Sequence, residues 1–361
     1  MSTLRELFDV GGQSPWLDNV RRDWLRDGTM QRIVDEGVRG VTSNPTIFDK
    51  AMQSTAEYDA QLAEVAGSTL EEAFVAVAGR DIADTAGLLD EVYEASGGTD
   101  GFVSFEVSPE LAYDTDATVA AARSISERFS LRNLLVKVPA TSAGLPAITT
   151  LIGEGISVNV TLIFGLTRYA QVIDAYLGGL DIAARAGRDL HGVASVASFF
   201  VSRVDTEVDK RLEAAGAPAA LHGRAAVAQA VLAYELFEQR FAEASFTSLG
   251  AKGAQLQRPL WASTSTKNPA YDDLLYVNTL IGPHTVNTMP DATIDAFIDH
   301  GTVARTIDAD VAVARATLEA ISAAGVDIED VATALEAEGV RSFAASYASL
   351  LRTIEEKRSS L

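Results

Sequence analysis

The feature that most restricts the fold of this chain is a repeated alternation between two kinds of segment. Short apolar runs rich in β-branched residues are separated by longer, Ala-rich stretches with helical spacing. The apolar runs cover residues 41–43, 102–105, 134–136, 156–158, 193–196, 259–262 and 285–286, with a weaker run at 15–17. Because these runs are continuously apolar rather than alternating, they predict parallel strands that are covered on both faces.

Strand–helix alternation repeated about eight times predicts an α/β fold, either a closed (β/α)8 barrel or a doubly wound sheet. The chain has no Gly-x-Gly-x-x-Gly turn and no Gly-x4-Gly-Lys-Ser/Thr loop, which removes the usual reason to prefer the doubly wound sheet. Helical spacing covers 70–95, 117–129, 166–186, 219–244 and 304–324, within a long helical segment over 304–359. We therefore predict one (β/α)8 TIM-barrel domain over 1–361, with additional helices at both ends.

Composition excludes several classes of protein. The chain has 29 Lys and Arg against 50 Asp and Glu, and a net charge of −21 argues against nucleic-acid binding. With no cysteine, the chain has no disulfide, no Cys–metal site and no thiol nucleophile. The absence of an apolar signal core and of a stretch of ~20 apolar residues predicts a cytoplasmic protein without membrane contact.

Metal and hydrolase chemistry find no support in the residue pattern. The four histidines, His191, His222, His284 and His300, lack the spacing of metal ligands, so we expect neither a metal nor a cofactor. The chain also has no Gly-x-Ser-x-Gly elbow of a serine hydrolase.

Polar side chains close most of the apolar runs. In a (β/α)8 barrel the carboxyl ends of the strands meet at one mouth, which is where such enzymes place their active sites. The candidate site residues are Asp18, Asn44, Glu106, Lys137, Asn159, Thr161, Ser198, Phe200, Arg203, Ser263, Ser265, Lys267, Asn287 and Thr288.

Lys137 is the most informative of these candidates. It is the one lysine of six that lies inside an apolar run, Leu-Leu-Val-Lys-Val-Pro. Burial disfavours the ammonium form of a lysine, and a neutral amine can attack a ketone carbonyl to form a Schiff base. The alternative is an exposed lysine at a strand end, hydrogen-bonded to the C-terminus of a helix.

Asp18 and Glu106 supply the carboxylates that Schiff-base chemistry needs for proton transfer to and from oxygen. Their alternative role is to cap the helix that follows each strand. Asn44 likewise precedes a proline and fits a turn at the start of a helix.

Arg203 can bind a phosphate group with two parallel hydrogen bonds. It can equally form a salt bridge with Asp205 or Glu207. Phe200 fits a core position as well as the wall of a site.

Two long segments resemble the signatures of the transaldolase family. Residues 40–48, Gly-Val-Thr-Ser-Asn-Pro-Thr-Ile-Phe, resemble the first signature, and residues 135–148, Leu-Val-Lys-Val-Pro-Ala-Thr-Ser-Ala-Gly-Leu-Pro-Ala-Ile, resemble the second. Residues 261–269 resemble the longer, actinobacterial-type members. Further segments that read like transaldolase strands are 16–19, 103–107, 158–162 and 198–203.

This resemblance implies a metal-free, class I enzyme of the pentose phosphate pathway on a (β/α)8 barrel. Such enzymes transfer a dihydroxyacetone unit from sedoheptulose 7-phosphate to glyceraldehyde 3-phosphate, giving erythrose 4-phosphate and fructose 6-phosphate. The resemblance implies that Lys137 forms the Schiff base and that Asp18 is the acid/base of carbon–carbon cleavage. It implies that Glu106 is an acid/base that acts through a water held by Thr161. It also implies that the sugar hydroxyls are bound by Asn44, Asn159 and Ser198, and the phosphate by Arg203.

One departure from the family pattern concerns the phosphate site. Shorter members carry a second arginine near the seventh strand, where this chain has Ser-Thr-Ser-Thr-Lys at 263–267. We therefore expect Lys267, with Ser263 or Ser265, to complete the site. Two other functions stay open: a fructose-6-phosphate aldolase, and a catalytically silent protein that binds sugar phosphates. The sequence leaves monomer and homodimer equally open.

Overall fold

A ring of parallel strands forms the centre of the fold. The computed structural model describes residues 3–361. The strands are β1 (Gln13–Leu17), β2 (Val103–Glu106), β3 (Leu134–Pro139), β4 (Val158–Ile163), β5 (Ser195–Phe200), β6 (Gln257–Ala262) and β7 (Thr285–Met289). All neighbouring strands are parallel, in the order β1-β7-β6-β5-β4-β3-β2.

The gap between β1 and β2 is closed by residues 39–42. Val41 forms parallel bridges with Leu17 of β1 and Val103 of β2. Backbone hydrogen bonds on both sides of this segment join it to β1 and to the residues in and just before β2. The run predicted at 41–43 therefore overlaps the segment that fills the expected eighth position of the barrel. Gly40 packs directly on the Trp16 indole, where a Cβ would lie 2.3 Å from a ring carbon, and a helix begins at Pro45.

Helices surround this ring on the outside. The α-helices are α1 (Thr3–Asp9), α2 (Arg22–Asp27), α3 (Thr29–Glu36), α4 (Pro45–Ser54), α5 (Asp59–Glu64), α6 (Leu70–Leu88), α7 (Asp90–Ala95), α8 (Thr115–Phe129), α9 (Gly144–Gly153), α10 (Leu166–Arg185), α11 (Ser202–Ala214), α12 (Ala225–Ala242), α13 (Ala244–Gly250), α14 (Leu275–Thr279), α15 (Asp291–His300), α16 (Val311–Ala323) and α17 (Ile328–Ser360). Two short 3₁₀ helices cover Pro109–Leu111 and Ala219–Leu221. The predicted barrel with additional helices is confirmed.

The helical segment predicted over 304–359 is two helices rather than one. The first, α16, begins only at Val311 and ends at Ala323. Gly325 then adopts a left-handed conformation (φ +91°), which an α-helix cannot contain. Asp327 accepts hydrogen bonds from the backbone N–H groups of Glu329 and Asp330, so its side chain starts α17.

The final helix, α17, is 33 residues long and packs across the carboxyl end of the barrel. Hydrogen bonds and ion pairs fix it along its length. These are Arg211–Asp330 to α11, Arg168–Glu336 to α10, Thr46–Ser346 and Asp49–Thr353 to α4, and Lys357–Asp59 to α5.

A buried carboxylate, Asp100, organises the opposite, amino end of the barrel. It accepts hydrogen bonds from Ser14 Oγ (2.5 Å), Trp16 Nε1 (2.9 Å), Arg39 Nε (2.9 Å) and Arg258 Nη2 (3.3 Å). Burial acts to raise its pKa, but the two guanidinium groups and the hydrogen bonds outweigh burial. The pKa of Asp100 therefore lies below its ordinary value.

None of the helices in residues 3–361 combines the length and the apolar character that crossing a membrane requires.

Candidate active site

A cavity of about 460 Å³ opens at the carboxyl end of the barrel. Its walls come from strand ends, from the loops that follow them, and from helices α4 and α17. The predicted site residues that line it are Asp18, Asn44, Lys137, Thr161, Ser198, Phe200, Arg203, Ser263, Ser265, Lys267 and Thr288. Residues that are far apart in the sequence therefore meet here, as expected for a (β/α)8 barrel.

Lys137 lies at the floor of this cavity and is 5% exposed. Its position in β3 is in register with Glu106 of β2 and Asn159 of β4. Its Nζ donates a hydrogen bond to the carbonyl of Ser43 (3.2 Å) and lies 3.7 Å from Glu106 Oε2. The alternative of an exposed, structural lysine is therefore wrong.

Glu106 is 8% exposed and lies behind Lys137 rather than on the wall of the main cavity. It borders a separate small cavity next to Phe74 and Tyr347. Burial raises the pKa of Glu106 to about 7, although the Lys137 charge acts against this and the Asp18 charge adds to it. A carboxyl group with such a pKa can both give and take a proton near neutral pH.

Asp18 follows β1 and borders the cavity directly. Thr42 Oγ donates to its Oδ1 (2.7 Å). Burial raises the pKa of Asp18, while the Lys137 charge and the Thr42 hydrogen bond oppose this rise. Neither Asp18 nor Glu106 caps a helix, because the N-cap residues of the elements that follow are Arg21 and Ser108.

Asn159 and Ser198 form a hydrogen-bonded chain across three strands. Ser198 Oγ donates to Asn159 Oδ1 (2.7 Å), and Asn159 Nδ2 donates to Ser104 Oγ (2.9 Å). Asn159 is fully buried and does not reach the cavity wall, whereas Ser198 does. Thr161 also lines the cavity, and its buried Oγ has no hydrogen-bond partner among the described residues.

Asn44 has the structural role that its Asn-Pro sequence allowed. Its Oδ1 accepts a hydrogen bond from the backbone N–H of Ile47 (3.1 Å) and so caps α4. The residue also borders the cavity, so capping holds it beside the site rather than removing it from the site.

Arg203 is half-buried near the start of α11 and makes no salt bridge with any residue in 3–361. Its guanidinium carbon lies 5.4 Å from the centre of the Phe200 ring, which is itself a wall of the cavity. Asp205 and Glu207 bind other groups, so the predicted alternative of a salt bridge with either is wrong. Burial lowers the pKa of Arg203.

The loop after β6 brings a second cation to the same part of the cavity. Lys267 Nζ donates to Ser265 Oγ (2.7 Å). Burial lowers the pKa of Lys267, and the nearby charges of Arg203 and Lys50 lower it further, while the charge of Asp18 acts in the opposite direction. Ser263, whose backbone is in the left-handed region (φ +58°), places its hydroxyl 2.9 Å from that of Ser202.

Several wall residues were not predicted from the sequence. Arg21 and Lys50 add positive charge, Thr42 supports Asp18, and the ring of Phe343 lies 5.7 Å from Lys137 Nζ. Lys50 follows the 40–48 segment on α4 and could have been found from helical spacing. Phe343 lies about 200 residues beyond Lys137, and no local pattern connects the two.

Over residues 3–361, no group of three or more His, Cys, Asp or Glu residues is arranged to hold a metal ion.

Comparison with known proteins places the chain in a family. Residues 15–354 match the model of the family described as transaldolase/fructose-6-phosphate aldolase. A transaldolase of Frankia alni is 50% identical over 99% of this chain and 98% of its own length, and transaldolase 1 of Streptomyces coelicolor is 51% identical over 97% and 93%. A transaldolase of Mycobacterium leprae is 49% identical over 98% and 96%. The resemblance inferred from the two signature segments is thus confirmed, and the chain belongs to the transaldolase/fructose-6-phosphate aldolase family of enzymes.

Proposed function

We propose that the protein is a transaldolase that uses Lys137 to transfer a dihydroxyacetone unit between phosphorylated sugars. The donor is sedoheptulose 7-phosphate and the acceptor glyceraldehyde 3-phosphate, as in the non-oxidative pentose phosphate pathway. The observation that carries the proposal is the position of Lys137. Its amine is buried at the floor of the cavity, 3.7 Å from a carboxyl group whose pKa is raised to about 7.

The first step is attack of the Lys137 amine on C2 of the ketose, which gives a carbinolamine. Its hydroxyl then leaves as water, with a proton supplied by an acid, to give the protonated Schiff base. Glu106 suits this proton transfer because burial holds its pKa near neutrality. Thr161 Oγ, free of other hydrogen bonds among the described residues, suits a water between Glu106 and the substrate.

The second step breaks the bond between C3 and C4 of the ketose. Asp18 takes the proton of the C4 hydroxyl, the aldose leaves, and the electron pair moves into the Schiff base to form an enamine. The hydrogen bond from Thr42 fixes the orientation of Asp18 for this step. When the acceptor aldehyde arrives, the enamine carbon attacks it and Asp18 returns the proton to the new hydroxyl.

The remaining polar groups of the site suit the hydroxyl and phosphate groups of the sugar. Asn44 and Ser198 border the cavity, with Asn159 holding Ser198 from behind. Arg203 and Lys267 offer two cations for the phosphate, with Ser263 and Ser265 beside them. This local positive charge matters because a protein with a net charge of −21 otherwise repels anionic substrates.

Trapping with borohydride tests the proposal. The protein is incubated with fructose 6-phosphate, reduced, digested and analysed by peptide mass spectrometry. We expect a reduced dihydroxyacetone fragment on Lys137 and none on the exposed Lys252, the internal control. An adduct on another lysine, or none at all, contradicts the assignment.

Adding an acceptor separates transfer from simple cleavage. With fructose 6-phosphate and erythrose 4-phosphate, a transaldolase forms sedoheptulose 7-phosphate. A fructose-6-phosphate aldolase instead releases free dihydroxyacetone at a comparable rate without acceptor. Formation of neither product leaves a sugar-phosphate-binding protein as the alternative.

A further inference from the structure

The ring of Phe343 is a part of the cavity wall next to Lys137 that the proposed reaction leaves without a role. It comes from α17, whereas the other groups around Lys137 Nζ come from the barrel itself. Phe343 is 8% exposed, lines the cavity, and has its ring centre 5.7 Å from Lys137 Nζ.

The position of this ring is fixed by the rest of the helix. Four other elements hold α17 by hydrogen bonds or ion pairs, including the pair formed by Arg168 and Glu336 (3.0 Å). Gly339, one turn before Phe343, lets the helix approach the barrel closely, because a Cβ there would lie 2.9 Å from Leu162 Cδ2. Phe343 is therefore a preset part of the cavity wall.

We propose that Phe343 decides how the enamine on Lys137 partitions between transfer and hydrolysis. This inference rests on the proposed function. The face of an aromatic ring attracts a nearby cation, so Phe343 stabilises the protonated Schiff base. Its apolar surface also excludes water from that side of Lys137, which protects the intermediate from side reactions.

The reaction that Phe343 suppresses is the loss of the bound dihydroxyacetone unit to water. Protonation of the enamine carbon first restores a Schiff base. A water molecule then adds to C2, the bond between C2 and Nζ breaks, and free dihydroxyacetone leaves while Lys137 regains its amine. Both steps need a proton donor or a water molecule beside Lys137, where the Phe343 ring now lies.

The test measures a ratio of products rather than a rate. Free dihydroxyacetone and sedoheptulose 7-phosphate are quantified together, with fructose 6-phosphate as donor and erythrose 4-phosphate as acceptor. For Phe343→Ala we expect the ratio of free dihydroxyacetone to transfer product to rise by about tenfold or more, because water gains access. For Phe343→Leu, which loses the ring but keeps an apolar wall, we expect the ratio to stay within about twofold of the wild-type value, because water remains excluded.

Leu350→Ala is the matched control. Leu350 is a fully buried residue of α17 two turns further on and does not line the cavity. Its truncation loosens the same helix, so we expect lower stability with an unchanged product ratio. An equal rise in this variant assigns the effect to the helix as a whole and overturns the role of Phe343.

Borohydride trapping in the wild-type protein separates the two proposals. If no adduct forms on Lys137, both the proposed function and the role of Phe343 are wrong. If the adduct forms but Phe343→Ala leaves the ratio unchanged, only the role of Phe343 is wrong.

Discussion

The two ends of the barrel each bury one carboxyl group close to β2. The pKa values of these two groups are shifted in opposite directions. Asp100 at the amino end has four hydrogen-bond donors, two of them from guanidinium groups, and its pKa is lowered. Glu106 at the carboxyl end has one cation, Lys137, and its pKa is raised to about 7.

The difference shows how one fold separates stability from chemistry. Only six positions separate Asp100 and Glu106, and both are buried, so burial alone does not set their ionisation. The charges around each carboxyl group, and then its hydrogen bonds, decide the direction: two guanidinium groups lower the pKa of Asp100, whereas one ammonium group does not offset burial at Glu106. A fully paired carboxylate stabilises the fold, whereas a poorly paired one remains able to exchange a proton.

The largest expected effect comes from removing the reactive amine at the carboxyl end. We expect Lys137→Met to lower transaldolase kcat by more than about 10⁴-fold, because the whole covalent route is lost. A coupled assay of fructose 6-phosphate formation measures it, with the exposed Lys252→Met as control. Substantial residual activity would remove Lys137 from the mechanism.

Breaking the network at the amino end is expected to affect stability instead. Asp100→Asn leaves Arg39 and Arg258 without their counter-charge, and removing one partner of a buried ion pair costs about 3 kcal/mol of unfolding free energy. Urea unfolding measures it, with the exposed Asp295→Asn as control. The KM of the folded variant should not change. A large change in KM would show that the amino end of the barrel also affects substrate binding.

The two carboxyl groups should also respond to pH with opposite signs. Because the pKa of Glu106 is raised in the folded state, its ionisation destabilises the fold as the pH rises from about 5 to 8, by on the order of 2–3 kcal/mol. Glu106→Gln should remove this dependence, which unfolding curves across that range measure. The lowered pKa of Asp100 gives a contribution that is present at neutral pH and is lost only in acid.

If the unfolding free energies of the wild-type protein and of Glu106→Gln depend on pH in the same way, Glu106 has an ordinary pKa in the folded protein. The comparison between the two ends would then rest on hydrogen bonding alone.

The smallest expected effect concerns cations that have no carboxylate partner. At the amino end Arg39 and Arg258 are paired with Asp100, whereas Lys267 at the carboxyl end forms no salt bridge within residues 3–361. We expect Lys267→Ala to raise the KM for phosphorylated substrates by about tenfold, as the loss of one charged hydrogen bond predicts. Steady-state kinetics measure it against Lys252→Ala, and an unchanged KM would exclude Lys267 from the phosphate site.

The sequence predicted much of the fold because buried parallel strands require short, continuously apolar runs, which are visible in the sequence. The runs at 102–105, 134–136 and 259–262 all lie in or against observed strands. The weak run at 15–17 lies in a full strand, and the run at 41–43 overlaps the hydrogen-bonded segment 39–42 that closes the barrel. Local apolar character placed both runs but not their ends, because the ends depend on which neighbours supply hydrogen bonds. That residues 1–361 form a single domain stays a prediction.

The candidate site was predictable where one residue carried the signal by itself. Lys137 stood out because a lysine within an apolar run is unusual, and eleven of the fourteen predicted site residues line the cavity. Glu106, Asn159 and Asn287 are buried outside that wall, and the roles of Glu106 and Asn159 in the reaction stay proposals. Phe343 gave no signal because an apolar residue on an Ala-rich helix looks the same wherever the helix packs.

The sequence by itself determined the alternation of strands and helices, the burial of Lys137 and the membership of the family. These properties depend on residues that are neighbours in the sequence, so they are visible in its local pattern. The tertiary structure alone decided that residues 39–42 close the barrel, that Asp100 has two cations while Glu106 has one, and that α17 brings Phe343 to Lys137. Pairing, pKa and water access all depend on atoms that distant segments bring into contact, and only the folded chain brings them together.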